Sequence, residues 1–195
     1  MRLVLATHNP HKVRELGPLL APHEVVALSD DVVLPPETGS SFAENAMTKA
    51  RTAAAASGAA AIADDSGIEA EALDGAPGIY SARYAGPGAS DEENLAKLRR
   101  EAPPGSGLAN VCALAFVDPS DGTELMFHGR CTGRMSADER GAGGFGYDPV
   151  FVPDDDVAGG RTMAELSQGE KDAISHRGRA ARELLAWLAA GAPRA

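Results

Sequence analysis

The sequence predicts a mixed α/β fold, and two observations carry that prediction. Early in the chain, short apolar runs alternate with segments whose apolar residues recur at helical spacing, which is typical of strands followed by helices. Later, two strand-like runs at residues 111–117 and 125–131 flank the turn signal Asp121-Gly122. The length of 195 residues suits one self-sufficient core, so we predict a single domain over residues 1–195.

The start of the chain is predicted to contain two strand-helix pairs. The apolar run at residues 3–6 predicts a first strand, and residues 25–28 predict a second strand that a proline-rich loop follows. Residues that cap or stop helices stand where the two helices should begin and end. They are Asn9 before the first helix, Ser40 or Ser41 before the second, and Gly58 after it.

The acidic pair Asp64-Asp65 follows an apolar run at residues 59–63, and we expect both acids at the end of that strand. The same periodicity arguments predict the later elements. These are a returning strand at 68–73, an amphipathic helix at 91–100, and helical structure from Thr162 or Ser167 to Leu188, broken near His176.

Composition limits the possible partners and the compartment. A formal net charge of -10 argues against a broad basic surface for long DNA or RNA, so we expect no nucleic acid polymer. Cys112 and Cys131 show neither metal-ligand spacing nor a disulfide framework, which favours a reducing compartment. The apolar runs at 3–6 and 183–188 are too short for a signal-peptide core or a membrane span. We therefore expect a cytoplasmic protein without a membrane partner.

A polar segment lies where the first predicted strand gives way to a helix. Free backbone N–H groups and a lysine at such a junction can receive phosphates, although the glycine-rich pattern of a P-loop is missing. Helix capping explains the same residues equally well, and the sequence leaves both readings open. The segment comprises Thr7, His8, Asn9, Pro10, His11 and Lys12. On the second helix, Lys49 and Arg51 face apart, so at most one of them points at a given pocket.

Three carboxylates are candidates for a metal site. Adjacent side chains on an extended backbone point to opposite sides, so one member of Asp64-Asp65 can face a site while the other supports it. Glu37, in the loop after the second strand, could complete an oxygen-rich site with Asp65, and such sites suit Mg²⁺. The structural alternatives are an Asx turn at Asp64-Asp65-Ser66-Gly67 and a solvated loop acid at Glu37.

The segment at residues 141–151, GAGGFGYDPVF, could approach a flat ligand closely. Four glycines surround Phe145, whose ring could stack on a nucleobase, while Asp148, His176 and Arg177 offer hydrogen-bonding edges of opposite polarity. The structural alternatives are packing under the loop for Phe145 and Tyr147, a core or cap position for His176, and a surface charge for Lys171.

Taken in order, the motifs of this chain resemble the family of inosine and xanthosine triphosphate pyrophosphatases, and the resemblance covers nearly the whole chain. The motifs are Thr7-x-Asn9-x-x-Lys12, Glu37-Thr38-Gly39, Phe42 with Glu44-Asn45-Ala46, Lys49-Ala50-Arg51, Ala63-Asp64-Asp65-Ser66-Gly67, Gly75-Ala76-Pro77-Gly78-Ile79-Tyr80-Ser81-Ala82-Arg83-Tyr84, residues 143–151, Glu170-Lys171 and Ile174-Ser175-His176-Arg177-Gly178.

The resemblance implies an elongated mixed α/β fold with two lobes around a long central mixed sheet, an active site in the cleft between them, and a homodimer. It implies Mg²⁺-dependent hydrolysis of ITP, dITP and XTP to the monophosphate and pyrophosphate, which clears deaminated purine nucleotides. By the same resemblance, Asp65 is the proton acceptor and a Mg²⁺ ligand, Glu37 is a further ligand, and Asp64 supports the site.

The resemblance also assigns substrate contacts. Residues 7–12 bind phosphate with help from Lys49 and Lys171, and Ser66 contacts the substrate. Phe145 stacks on the base. Asp148, His176 and Arg177 complete the purine pocket, and Gly146 and Tyr147 are further substrate-binding residues.

Two other functions agree with the same residues. One is a pyrophosphatase for other modified nucleotides, and the other is a nucleotide-sensing module that binds without catalysis. A 6-oxo group can accept from His176 or Arg177, which would exclude ATP, whereas the sequence does not show what excludes GTP. The effect of His8 in the phosphate segment is open, and we predict a solvated turn at Asp154-Asp155-Asp156.

Overall fold

A computed structural model describes residues 1–156 and 159–191, and it contains a six-stranded mixed sheet in the order β2-β1-β3-β4-β5-β6. The strands are β1 (Arg2–Leu5), β2 (Glu24–Ala27), β3 (Ala61–Ala70), β4 (Gly107–Asp118), β5 (Thr123–Met135) and β6 (Phe151–Pro153). The helices are α1 (Pro10–Leu19), α2 (Phe42–Ser57), α3 (Asp91–Glu101), α4 (Gln168–Ile174) and α5 (His176–Ala189). Strand β1 is parallel to β2 and β3, whereas β5 and β6 are antiparallel. The predicted mixed α/β class is confirmed.

The chain divides by its internal contacts into two compact units. Unit 1 comprises Met1–Asp65, Cys112–Gly129 and Arg177–Ala195, and unit 2 comprises Ser66–Val111 and Arg130–His176. The single domain over residues 1–195 stays a prediction. Among the described helices, none combines the length and the apolar character that crossing a bilayer requires.

Helix caps in unit 1 lie where the sequence places them. The Asn9 side chain accepts a hydrogen bond from the backbone N–H of His11 at 2.9 Å and begins α1. Ser41 accepts from Glu44 N–H and begins α2, and Gly58 ends that helix with a left-handed φ of 64°. These caps fix the strand-helix junctions that carry the polar residues of the site.

Unit 1 buries two apolar clusters, and successive residues of its strands alternate between them. Leu3, Leu5 and Ile62 belong to the cluster that α1 and α5 cover, whereas Val4 and Ala63 belong to the cluster that α2 covers. The two clusters therefore lie on opposite faces of the sheet. Unit 2 has its own cluster around Ile68, Leu98, Phe151 and Met163, packed from β3, α3, β6 and the 3₁₀ turn Met163–Glu165.

Two predictions about the strands were wrong. Asp64 and Asp65 do not stand at the end of a strand or in an Asx turn, because β3 runs without interruption from Ala61 to Ala70. The returning strand predicted at 68–73 is the second half of β3 followed by a 3₁₀ turn at Glu71–Leu73. Gly67 suggested a turn, but the backbone stays extended there as part of β3, an inner strand of the sheet.

The prediction of a solvated turn at residues 154–156 was wrong for one of its three aspartates. Asp156 is buried rather than solvated, and its carboxylate accepts from the backbone N–H of Arg161 at 3.0 Å and from its guanidinium at 2.7 Å. Arg161 also pairs with Glu170 near the start of α4, at 2.9 Å. The break predicted near His176 is confirmed at Ser175, which ends α4 before α5 begins.

Candidate functional site

Strand β3 directs the two adjacent aspartates to opposite faces of the sheet in unit 1. Asp64 points toward the side of Ile62 and Cys112, where its Oδ2 lies 2.9 Å from Arg177 Nε and 3.4 Å from Cys112 Sγ. Asp65 points toward α2. The prediction that the two side chains point to opposite sides is confirmed, and the supporting role of Asp64 stays a prediction.

Asp64 is a fully buried anion that two cations hold ionised. Burial by itself would raise the pKa of this carboxyl, but Arg177 and then Lys12 outweigh that effect and keep it well below its usual range. Lys12 contacts the Asp64 carboxylate and also donates to its backbone carbonyl at 3.1 Å. Burial raises the pKa of the Cys112 thiol, and the neighbouring Asp64 carboxylate raises it further.

Glu15 joins this network, and the sequence reading did not assign it a role. Its carboxylate pairs with Arg177, whose side chain is 4% exposed. The pKa of Arg177 is raised, because attraction to Asp64 and Glu15 outweighs burial. The sequence could have indicated this role. Glu15 lies three residues after Lys12 and beside Leu16 on the buried side of α1, and a buried acid needs a partner.

The Asp65 carboxylate is held by two residues of α2. Asn45 Nδ2 donates to Asp65 Oδ2 at 3.0 Å, and Lys49 Nζ donates to Asp65 Oδ1 at 3.1 Å. Asn45 and Lys49 are four residues apart and therefore share one helix face. Asn45 also accepts from Gly39 N–H at 2.8 Å, which ties the loop carrying Glu37 to the same helix. Asn45 belongs to one of the family motifs of the sequence, but no role was predicted for it.

Lys49 joins Glu37 to Asp65. Its ammonium lies 2.6 Å from Glu37 Oε1 and 3.0 Å from the backbone carbonyl of Asp64, in addition to the Asp65 contact. The prediction that Lys49 and Arg51 face apart is confirmed, because Arg51 is exposed and pairs with Glu124. The structure thus brings Glu37, Lys49 and Asp65 together, as a shared site requires.

The charges in this group shift one another's pKa. Burial raises the pKa of Asp65, and repulsion from Glu37 raises it further, while Lys49 opposes both. Glu37 has a lowered pKa, because attraction to Lys49 outweighs burial. For Lys49, the attraction of Asp65 and Glu37 outweighs burial and raises its pKa. Lys49 is therefore a stable cation between two carboxylates that disfavour each other's charge.

The donor set of Glu37 and Asp65 fits a divalent cation. Within residues 1–156 and 159–191, no group of three or more His, Cys, Asp and Glu side chains could hold a metal ion. Mg²⁺ does not require such a group, since it commonly binds one or two carboxylates and fills its shell with waters and substrate phosphates. Burial and then repulsion from Glu37 raise the pKa of Asp65, and a bound cation would relieve that repulsion.

The segment at residues 7–12 is held at both ends. Thr7 Oγ1 accepts from Asn9 N–H at 3.1 Å, Asn9 caps α1, and Lys12 contacts Asp64. His8 and Pro10 are exposed, and His11 Nδ1 lies 2.9 Å from Arg14 Nη2. The capping role of Asn9 is confirmed, and the phosphate role of the segment stays a prediction.

The predicted base residues of unit 2 centre on Asp148. Its Oδ2 accepts from Lys171 Nζ at 2.8 Å and from the backbone N–H of Phe145 at 2.9 Å. Lys171 is buried, so the surface alternative for it is wrong, and its ammonium lies 5.3 Å from the centre of the Phe145 ring. Gly144, with φ of 73°, leaves the space for this contact, because an added Cβ would lie 2.0 Å from Asp148 Oδ2.

Of the other predicted substrate residues, Gly146 and Tyr147 lie in the same glycine-rich loop as Phe145, whereas Ser66, His176 and Arg177 lie in β3 and α5. Tyr147 donates its hydroxyl to the Ser81 carbonyl at 2.7 Å, and Gly146 N–H donates to Asp91 at 3.1 Å. Both contacts anchor the glycine-rich loop. Ser66 lies in β3, and His176 is the buried first residue of α5. Arg177 belongs to unit 1 with Asp64 and Glu15, and its base-pocket role stays a prediction.

The comparison with known proteins decides the family. Residues 3–187 match the model of the Ham1 family. The chain belongs to the Ham1 family. This Ham1 protein is 50% identical over 199 residues to the dITP/XTP pyrophosphatase of Yersinia pseudotuberculosis serotype I (strain IP32953), covering 94% of this chain and 96% of that protein. The family resemblance read from the sequence is confirmed.

Solved Ham1 structures agree with the fold described here. A HAM1 protein from Coxiella burnetii matches with a TM-score of 0.84 and 38% identity, covering 98% of this chain and 100% of that chain. The Ham1 protein of Staphylococcus aureus matches with a TM-score of 0.81 and 38% identity, covering 97% of this chain and 99% of that chain. Both comparisons therefore support the same fold and the same family as the match to the Ham1 model.

Proposed function

We propose that the protein hydrolyses deaminated purine nucleoside triphosphates, dITP, ITP and XTP, to the monophosphate and pyrophosphate. The observation that carries the proposal is the unit 1 cluster, in which Lys12 and Lys49 meet three carboxylates, those of Glu37, Asp64 and Asp65. The similar Yersinia protein bears the name dITP/XTP pyrophosphatase. Acid groups beside lysines suit phosphoryl chemistry, which needs a base for water and cations for the leaving pyrophosphate.

Asp65 is the proposed base. Asn45 and Lys49 fix its orientation, and its raised pKa makes it a stronger proton acceptor than an ordinary surface carboxylate. Asp64 would take no proton, because its pKa is held well below the usual range. The lysines Lys12 and Lys49 would neutralise charge on the departing phosphates. The two aspartates thus separate into a base and a structural anion.

Glu37 and Asp65 would hold the Mg²⁺ ion that we propose as the cofactor. The ion would neutralise phosphate charge and lower the pKa of a bound water. Glu37 is suited to this because attraction to Lys49 lowers its pKa and keeps the carboxylate ionised at neutral pH.

Base recognition is proposed for the unit 2 residues and for Arg177. The Phe145 ring would stack on the purine, with Lys171 and Asp148 holding its loop. A 6-oxo group could accept from His176 or Arg177, whereas the 6-amino group of adenine is a donor and would leave those donors unpaired. ATP should therefore be a poor substrate. We further propose a cytoplasmic homodimer, which rests on the family resemblance and which light scattering can test.

The experiment that tests this function is product analysis with purified protein, Mg²⁺ and ITP, with ATP and GTP in parallel. We expect IMP and pyrophosphate from ITP, and loss of turnover by at least about a hundredfold in Asp65→Asn, as for removal of a general base. The control is Asp121→Asn, an exposed turn residue, which should turn over like the wild type. Orthophosphate as the product, or no turnover of any nucleotide, would contradict the proposal.

A further inference from the structure

Lys49 occupies the position between the two proposed metal ligands. Its three N–H donors have three acceptors: Glu37 Oε1 at 2.6 Å, Asp64 O at 3.0 Å and Asp65 Oδ1 at 3.1 Å. The side chain is 8% exposed. The ammonium is therefore fully satisfied by the protein and would have to break at least one of these bonds in order to bind a phosphate.

The same three contacts make Lys49 a competitor of any cation that uses these carboxylates. Glu37 and Asp65 together carry two negative charges, of which the ammonium already neutralises one. A divalent ion bound to both carboxylates would lie close to the ammonium and be repelled by it.

We propose that Lys49 is an internal counter-ion of the metal site, and that it keeps the affinity for a divalent cation low until a nucleotide phosphate draws the ammonium away. The phosphate and the cation then favour each other, because each relieves an interaction that opposes the other, and such coupling is reciprocal. The inference rests on the proposed function, since that function supplies the phosphate.

A purely supporting role for Lys49 predicts the opposite sign. If its hydrogen bonds mainly orient Glu37 and Asp65 for the metal, then removing the ammonium would loosen both carboxylates and weaken metal binding. If the ammonium competes, its removal strengthens metal binding. The direction of the change in affinity therefore separates the two roles.

The test measures Mn²⁺ binding to the full chain without nucleotide, from the loss of the free-ion electron paramagnetic resonance signal. We expect Lys49→Met to bind Mn²⁺ at least about tenfold more tightly than the wild type, since charge-assisted hydrogen bonds no longer compete. Lys49→Arg keeps the charge and should not bind more tightly than the wild type. Arg51→Met removes an equal charge from the exposed side of α2 and should stay within about twofold.

Unchanged or weaker Mn²⁺ binding by Lys49→Met would overturn the inference, as would an equal gain in Arg51→Met. Lys49→Gln serves as a second uncharged variant if Lys49→Met does not fold, and the rise in melting temperature on adding Mn²⁺ is a second readout. Measuring ITP turnover by the same wild-type preparation distinguishes failure of the counter-ion role from failure of the proposed function. Turnover without tighter Mn²⁺ binding in the variant rejects the counter-ion role alone. Tighter binding without wild-type turnover supports that role and rejects the proposed function.

Discussion

Arg177→Met tests how much the buried charge network of unit 1 contributes to stability. The variant retains an unbranched apolar side chain but removes the guanidinium that lies 2.9 Å from Asp64 and also contacts Glu15. The side chains of Asp64 and Glu15 are 0% and 11% exposed, so water cannot replace the lost partner of Asp64. Lys12 would then be the cation that still pairs with the Asp64 carboxylate, and the Cys112 thiol would remain beside it.

The expected cost is about 3–5 kcal/mol, the usual cost of removing one partner from a buried ion pair. For a chain of this length, such a loss lowers the melting temperature by roughly 6–20 °C. Urea unfolding followed by circular dichroism at neutral pH measures the free energy. Adding Glu15→Gln to Arg177→Met removes one of the two carboxylates left behind, and it should recover about 1 kcal/mol or more.

The stability difference between the wild type and Arg177→Met should change with pH in one direction. Because the pKa of Asp64 is lowered in the folded protein, its ionised form stabilises the wild type above its unfolded pKa, and that contribution is lost as the pH falls through the folded pKa. Without Arg177, protonation of Asp64 becomes favourable. The stability deficit of the variant should therefore shrink as the pH falls from neutral toward about 4, the ordinary pKa of an aspartate. This reasoning would be refuted if Arg177→Met lost less than about 1 kcal/mol of unfolding free energy, or if adding Glu15→Gln destabilised the variant further. It would also be refuted if the stability deficit did not change with pH.

Two further variants test positioning contacts. Asn45→Leu removes the amide that orients Asp65, so turnover of ITP should fall by about 10- to 100-fold, and unchanged turnover would exclude the role. Gly144→Ala places a Cβ 2.0 Å from the Asp148 carboxylate, whereas Gly146→Ala has a similar φ but meets nothing within 4 Å. Both carry the cost of a positive φ, so urea unfolding should show Gly144→Ala to be less stable by about 1–3 kcal/mol, and equal stabilities would contradict the steric argument.

Short-range features of the fold were predictable because they depend on neighbouring residues. Asn9, Ser41 and Gly58 cap helices through contacts within a few residues, and the break before His176 follows from the local sequence. The strand through Asp64-Asp65 was not predictable in this way. Its acids and Gly67 are typical of a turn, and the hydrogen-bonded neighbours of β3 in the sheet override that tendency.

The same distinction applies to the site. The family, the mixed α/β class and the candidate residues could be read from the sequence, because motifs and periodicity are properties of the chain alone. The partners of these residues depend on the three-dimensional packing, which pairs Glu15 with Arg177 and Asn45 with Asp65. It also places Lys49 between Glu37 and Asp65. These pairs join residues that are distant in sequence, and burial makes their charges interact strongly. Sequence spacing cannot reveal which of several distant charges meet, since that depends on how strands and helices pack.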